Sequence, residues 1–349
     1  GTAEIDASHL VFARGGLQPA DVTPIAALLA NAQGQAAFTG HMDWNKDQPV
    51  EGTGRLVVGR LDFSSPVGPV SGLKGEVAFT SLAPLVSGAN QSVTADLIDA
   101  FAPLKNVNAT FTLAEDGLHL ASAQAEVAGG RANLEPMTLP FAQHVTIAGA
   151  IGLDDINLND LVALTSYADR IKTDLILDGR LPFEVDDRGI RLLKGRLATV
   201  KPGRISISRE LLTGVESGQA TAQVQTAPNA AVAEAPATNA VQDLTYDVLE
   251  NLAVDSLSAT VESLPSGRLG ALFSIKGRFD PAKAPKTTMP LADLILGKPL
   301  DKIPLAKGTP VDLTLDTSLN FDELVKGVES SFNTFKDLHQ PSRSGPVQR

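Results

Sequence analysis

The chain contains no cysteine, which excludes disulfides, thiolate metal sites and thiol nucleophiles. Aromatic residues are scarce at 5% of 349 residues, with 1 Trp and 2 Tyr. The 43% of hydrophobic residues is therefore mostly Leu, Val, Ile, Ala and some Phe, which build smooth aliphatic faces. No run approaches the ~18 apolar residues that a membrane-spanning helix needs. Positive charge is in deficit: 29 Lys and Arg against 40 Asp and Glu give a net charge of −11. That balance argues against nucleic acid as a partner and against anionic headgroups held by charge.

Chemistry-bearing motifs are missing too. There is no G-x-S-x-G elbow, no phosphate loop and no dinucleotide fingerprint after a strand. His9, His41, His119, His144 and His339 are scattered, with no two at metal-ligand spacing. Asp155-Ile-Asn157-Leu-Asn159-Asp160 opens like a calcium loop, but such loops need glycine at the sixth position and glutamate at the twelfth. Those positions hold Asp160 and Ser166, so a turn with a helix cap is expected instead. Pairs such as Asp154-Asp155 and Asp186-Asp187 fall at strand ends, where solvated turns put them. No catalytic residue, metal or cofactor is expected.

What the chain does have is alternation. From Asp174 to Asp186 the residues Leu175, Leu177, Leu181, Phe183 and Val185 share one side with Gly179. Asp174, Asp178, Arg180, Glu184 and Asp186 share the other. Successive side chains of a strand point to opposite faces, so this is a sheet with one dry and one wet face. Asp187-Arg188-Gly189 reads as a tight reversal into a strand through Leu193, Gly195 and Leu197. Pro202-Gly203 reads as a second reversal, into Ile205 and Ile207.

The same pattern recurs along the chain. Glycine followed by alternating apolar positions occurs at Gly34–Phe38, Gly54–Val58, Gly75–Phe79, Gly179–Val185, Gly195–Val200 and Gly277–Phe279. The spacing is irregular, which predicts a series of short antiparallel strands, each opened by a turn glycine, and not a fixed-period solenoid. Further strands are expected at Asn108–Leu113, Val145–Ile151, Leu257–Glu262, Arg268–Phe279 and Val311–Phe321. Gly15-Gly16 and Gly129-Gly130 are expected in turns or bulges.

Short helices are expected between strands. Thr23-Pro24 offers a hydroxyl cap and a first-turn proline ahead of Ile25, Leu28 and Leu29. Asn159 or Asp160 caps a helix carrying Leu161, Val162 and Leu164, and Val241–Leu252 has helical apolar spacing. Another helix is expected from Asp322 to Phe335, and residues 336–349 are expected to be a disordered tail. Residues 227–240 hold seven alanines and two prolines. The stretch 217–240 is therefore read as a flexible insertion between sheet parts 1–216 and 241–335.

The cassette "G-x-LP-F-x-V, turn, G-x-L, then PG-x-I" over Gly179–Ile207 resembles the YdbH family, within the AsmA/TamB-like superfamily of Gram-negative envelopes. Asp155–Leu164, Val241–Leu249, Leu272–Pro281 and Pro310–Leu319 are similar to further family segments. The family's Asn-Pro is Asp280-Pro281 here. The resemblance implies a mainly β fold: an elongated, twisted antiparallel sheet curled into a U-shaped, gutter-like apolar groove with a few short helices. It implies a bridge-like protein that conducts phospholipid acyl chains between inner and outer membranes, located in the periplasm. The chain is then expected to be the C-terminal piece of a longer protein whose inner-membrane anchor lies elsewhere.

The groove lining implied is Leu175, Leu177, Leu181, Phe183, Val185, Ile205, Ile207, Leu257, Val261, Leu269, Phe273, Ile275, Leu313, Leu315 and Leu319. Phospholipid is the implied cargo, and a small outer-membrane lipoprotein pairing with the last strand the implied partner. The alternative reading is an envelope assembly scaffold that acts by strand addition and carries no lipid. Alternation by itself fits a packed core equally well.

Overall fold

The structure, a computed structural model, describes residues 1–23, 26, 29–46, 48–65, 68–100, 102–142, 145–165, 167–186, 189–208, 248–265, 268–281 and 306–319. Strand dominates. The first half holds β1 (Thr2–Phe12), β2 (Ala30–Asn45), β3 (Gln48–Ser65), β4 (Gly68–Leu82), β5 (Leu85–Ser87), β6 (Gln91–Asp99), β7 (Pro103–Leu113), β8 (Gly117–Val127), β9 (Gly130–Leu134) and β10 (Met137–Pro140). The second half holds β11 (Ile147–Asn157), β12 (Ile171–Thr173), β13 (Ile176–Asp186), β14 (Gly189–Leu192), β15 (Gly195–Thr199), β16 (Gly203–Ile207), β17 (Leu252–Ser263), β18 (Leu269–Phe279) and β19 (Pro310–Leu319). Two short helices, α1 (Pro19–Val22) and α2 (Leu158–Val162), interrupt them.

All the described strands belong to one sheet, and every pairing is antiparallel. β1 pairs with β2, β2 with β3 and β3 with β4. Several rungs are built in pieces: β5 and β6 both pair with β4, while β9 and β10 both pair with β8. β9 passes the ladder to β11 and β11 to β13. β14 and β15 lie on β13, β16 lies on β12, and β15 and β16 together lie on β17. β18 and β19 complete the meander. Among the described residues β1 and β19 do not pair, so the sheet is not closed into a barrel.

The meander gives the sheet two unlike long edges. At the lower edge lie α1, α2 and the helical turn 248–250 that leads into β17. At the upper edge the chain reverses in short connections, as between β4 and β5, β7 and β8, β13 and β14, and β17 and β18. Asn157 caps α2, its side chain accepting from the Asn159 amide, and the Leu158 amide donates to the Leu175 carbonyl at 3.0 Å. The calcium-like segment is thus a capped turn, with its cap two residues ahead of the expected Asn159.

Pro202-Gly203 does not reverse the chain. β15 and β16 run the same way along β17, with Gly195 opposite Val261 and Gly203 opposite Val254. Proline carries no N–H for the ladder, so the rung breaks at residues 200–202 and resumes. The side chain of Asp174 accepts from the Arg204 amide across that break.

The recurring glycines also correct an expectation. Gly34, Gly54, Gly75, Gly179 and Gly277 sit inside strands, and only Gly195 opens one. All lie on the apolar face, pressed by a neighbouring rung. A Cβ on Gly54 would stand 2.8 Å from Phe38 Cζ, and one on Gly195 2.7 Å from Leu181 Cδ2. At Gly277 the obstacle is the Ala253 carbonyl oxygen. Glycines and bulges at such positions are what a curved sheet requires. Phe38 and Phe79 meet over Gly54 with ring centroids 6.2 Å apart.

Other expectations shift by a few residues. The described N-terminal helix is α1, ahead of Thr23, with Gln18 in a capping box with Asp21. Leu252 belongs to β17 and not to the preceding helix. Most of the helix expected from Thr23, residues 217–240, the helix from Asp322 and the tail 336–349 lie outside the described residues.

Candidate lipid-binding face

Register alone carries one apolar face across the whole sheet. Ala7 lies opposite Phe38, Phe38 opposite Leu56, and Leu56 opposite Val77. Gly75 leads to Val93, Ala109, Ala123, Leu134 and Ile151. Leu153 then faces Gly179, Gly179 faces Leu197, Leu197 faces Ala259, Ala259 faces Phe273, and Phe273 faces Leu315. Directly opposed residues share a face, so the backbone places Leu181, Phe183, Val185, Val261, Leu269 and Leu319 on this side as well.

The opposite face is laced with ion pairs between rungs. Arg55 meets Glu76 at 2.6 Å, and Arg278 meets Asp255 at 2.9 Å. Arg180 grips Glu135 through Nε and Nη2 at 2.6 and 2.8 Å, holding that carboxyl below its usual range. These groups are solvated and add little stability. They keep the face wet and fix the register of neighbouring rungs.

Burial divides the apolar face into two parts. Around the lower edge of β12 to β19 it is filled. Val248 and Leu249, at 0% and 2% exposure, pack with Leu175, Leu177, Ile205, Leu252, Val254, Leu257, Ile275, Phe279, Val311 and Leu313. Leu158 of α2, Ile171, Ile207 and Phe273 pack against the same cluster. Val261 and Leu269 are also buried. By contrast Leu181, Phe183 and Val185 in upper β13 are half-buried, as are Leu134, Met137, Ile147 and Ile151 beside them. Sequence reasoning placed the lining residues on one face but missed that Val248 and Leu249 cover part of it. Their i, i+1 position at the end of an apolar-spaced segment was the available signal.

Two smaller clusters sit on the N-terminal rungs, one around Phe12, Ala32, Ala36 and Leu61, the other around Val77, Phe79 and Leu113. An open depression of about 610 Å³ at the lower edge is lined by Lys172, Asp174, Arg204, Ser206 and Glu250 together with Ala168 and Ile205 among others. It is no part of the half-buried apolar strip. Among the described residues no group of three or more His, Asp or Glu is placed to hold a metal ion, and no helix is long and apolar enough to cross a membrane.

The chain is thus a single open antiparallel sheet with one aliphatic and one charged face. A model of the YdbH-like family, described as intermembrane phospholipid transport protein YdbH, matches residues 1–286. The chain belongs to that family, whose function is phospholipid transport between membranes. The match includes the Gly179–Ile207 cassette and ends before β19. No curated protein and no solved structure matches the chain.

Proposed function

We propose that this chain is a segment of a bridge that conducts phospholipid by laying acyl chains along the apolar face while headgroups stay in solvent. The observation that carries this is the apolar face that strand pairing carries from rung to rung across a sheet that does not close. Each methylene kept out of water is worth about 0.8 kcal/mol, so two acyl chains crossing an aqueous gap face tens of kcal/mol. A continuous aliphatic trough removes that barrier and needs no catalytic group. A net charge of −11 is compatible, because tails and not headgroups are held.

The residues that would meet lipid first are Leu181, Phe183 and Val185, which are half-buried on that face. Leu175, Leu177, Ile205, Ile207, Leu257, Val261, Leu269, Phe273, Ile275, Leu313, Leu315 and Leu319 continue the same face toward the last strand. The family's intermembrane role supports a periplasmic setting between inner and outer membranes. β19 presents a free edge among the described residues, and unpaired backbone donors and acceptors there suit a strand contributed by a small outer-membrane lipoprotein.

The test is a photoreactive side chain placed at Phe183 or Leu181, with Arg180 and Ser274 as opposite-face controls. Lipid should be captured at the first pair only. Equal capture on both faces would leave an ordinary core and end the conduit reading.

A further inference from the structure

We propose that phospholipid joins or leaves this sheet sideways, over the upper rim between β10 and β14, and not along the β17 to β19 side. The inference rests on the acyl-conducting reading above and specifies where on the sheet the lipid crosses.

The first observation is that the way toward β19 is occupied. Val248 and Leu249 are seated on the lower part of the apolar face, and the cluster they join reaches from Leu175 to Leu313. On β17 and β18 the apolar-face residues Leu257, Ala259, Val261, Leu269, Ala271 and Ile275 are all buried. An acyl chain lying there would have to displace the protein's own side chains from close packing.

The second observation is the rim itself. Leu139, Phe141, Val145 and Ile190 are between 37% and 44% exposed. They fall together because the connection from β10 to β11 and the reversal from β13 to β14 lie at the same upper edge. Ile147 faces Val185 and Val185 faces Ile190, while Leu139 faces Leu118 one rung back. The Phe141 amide donates to the Asp116 carbonyl at 3.1 Å, which fixes that corner beside the β7–β8 turn. By register Ile147 and Ile190 both lead to Val185, and Phe183 and Leu181 follow it down β13 on the same face.

Two other exposed apolar residues stand apart from it. Val57 and Leu272 project from the charged face, opposite Glu76 and Asp316. Scattered singly, such residues are ordinary surface, whereas a contiguous apolar patch marks a contact site. Its continuity with the half-buried strip points to one occupant: the acyl chains of a phospholipid passing between the strip and a bilayer.

Because the chain lacks cysteine, single-cysteine variants give a clean readout. Val145→Cys, Ile190→Cys and Leu272→Cys would each carry an environment-sensitive fluorophore, and vesicles of phosphatidylethanolamine and phosphatidylglycerol would be added. A blue shift at positions 145 and 190 but not 272 is expected; equal shifts, or none, overturn the portal. The pair Val145→Asp and Ile190→Asp, both at exposed positions, should slow lipid exchange between vesicles at least roughly tenfold, since a carboxylate in the path resists desolvation. Wild-type exchange by that variant, with lipid still captured at a photoreactive position 183, refutes the portal and leaves the conduit standing. Failure of capture at position 183 refutes the conduit, and the portal with it.

Discussion

The central rungs, β9 and β10 with the upper parts of β11 and β13, and the C-terminal rungs, β15 to β19, share one alternation but differ in what lies on it. In the C-terminal rungs a helical turn folds back onto the sheet, so Leu252, Val254 and Leu313 are almost wholly buried. In the central rungs nothing is described above Leu181, Phe183 and Val185, and they stay half-exposed. Identical periodicity therefore yields a filled core in one place and an open apolar strip in the other. The deciding factor is an element whose position the strands themselves do not encode.

Truncations should give the largest contrast. Leu313→Ala or Leu252→Ala removes a fully buried side chain and should cost about 2–5 kcal/mol in denaturant unfolding. Leu181→Ala, losing only partial burial, should cost about 1 kcal/mol. Equal costs would mean that the central face is covered in solution, and the two regions would no longer differ.

Glycine substitutions sharpen the same comparison at a smaller scale. Gly277→Ala drives a methyl into the Ala253 carbonyl, which is backbone and cannot yield, at a cost of about 1–3 kcal/mol. Gly149→Ala meets Phe183 Cζ at 2.7 Å and Met137 Sδ at 3.0 Å. Those are side chains on the open strip that can swing toward solvent, so thermal unfolding should shift less than for Gly277→Ala. A larger shift at Gly149 would show the strip to be rigidly packed.

Charge should contribute least, because the difference between the regions is one of apolar packing. The clearest titrating group lies outside both. His41 bridges β1 and β2, with Nδ1 at 2.6 Å from Glu4 and Nε2 at 2.8 Å from Asp43. Those hydrogen bonds to carboxylates, Glu4 first, raise its pKa above the ordinary value, while His41 lowers that of Asp43. A raised histidine pKa gives stability that is complete below the ordinary value and lost as pH rises through the raised one. His41→Ala should therefore differ from wild type in melting temperature most below about pH 6.5, and the two curves should converge on the alkaline side. Since the groups are solvent-exposed, the difference is small; a constant gap at every pH would show that the ring acts by packing.

Much of the fold was legible because strand alternation is a local property. The strands at Asn108–Leu113 and Leu257–Glu262 fall inside β7 and β17, and that at Arg268–Phe279 exceeds β18 by one residue. Where reading failed, two local signals had more than one tertiary meaning. Pro202-Gly203 suits a reversal or a break in a continuing rung, and only pairing of both flanks with β17 selects the break. A glycine before an apolar run suits a turn or a strand interior, and Phe38 over Gly54 selects the interior.

By itself the sequence determined a mainly β chain with one dry face, because each residue's side is set by counting along a strand. Only the tertiary structure decided that the rungs form one unclosed sheet and which part of the face is filled. Both depend on contacts between residues far apart in the chain: Leu249 against Leu313 and its neighbours, and β1 lying apart from β19. Local periodicity carries no information about what arrives from elsewhere to cover a face.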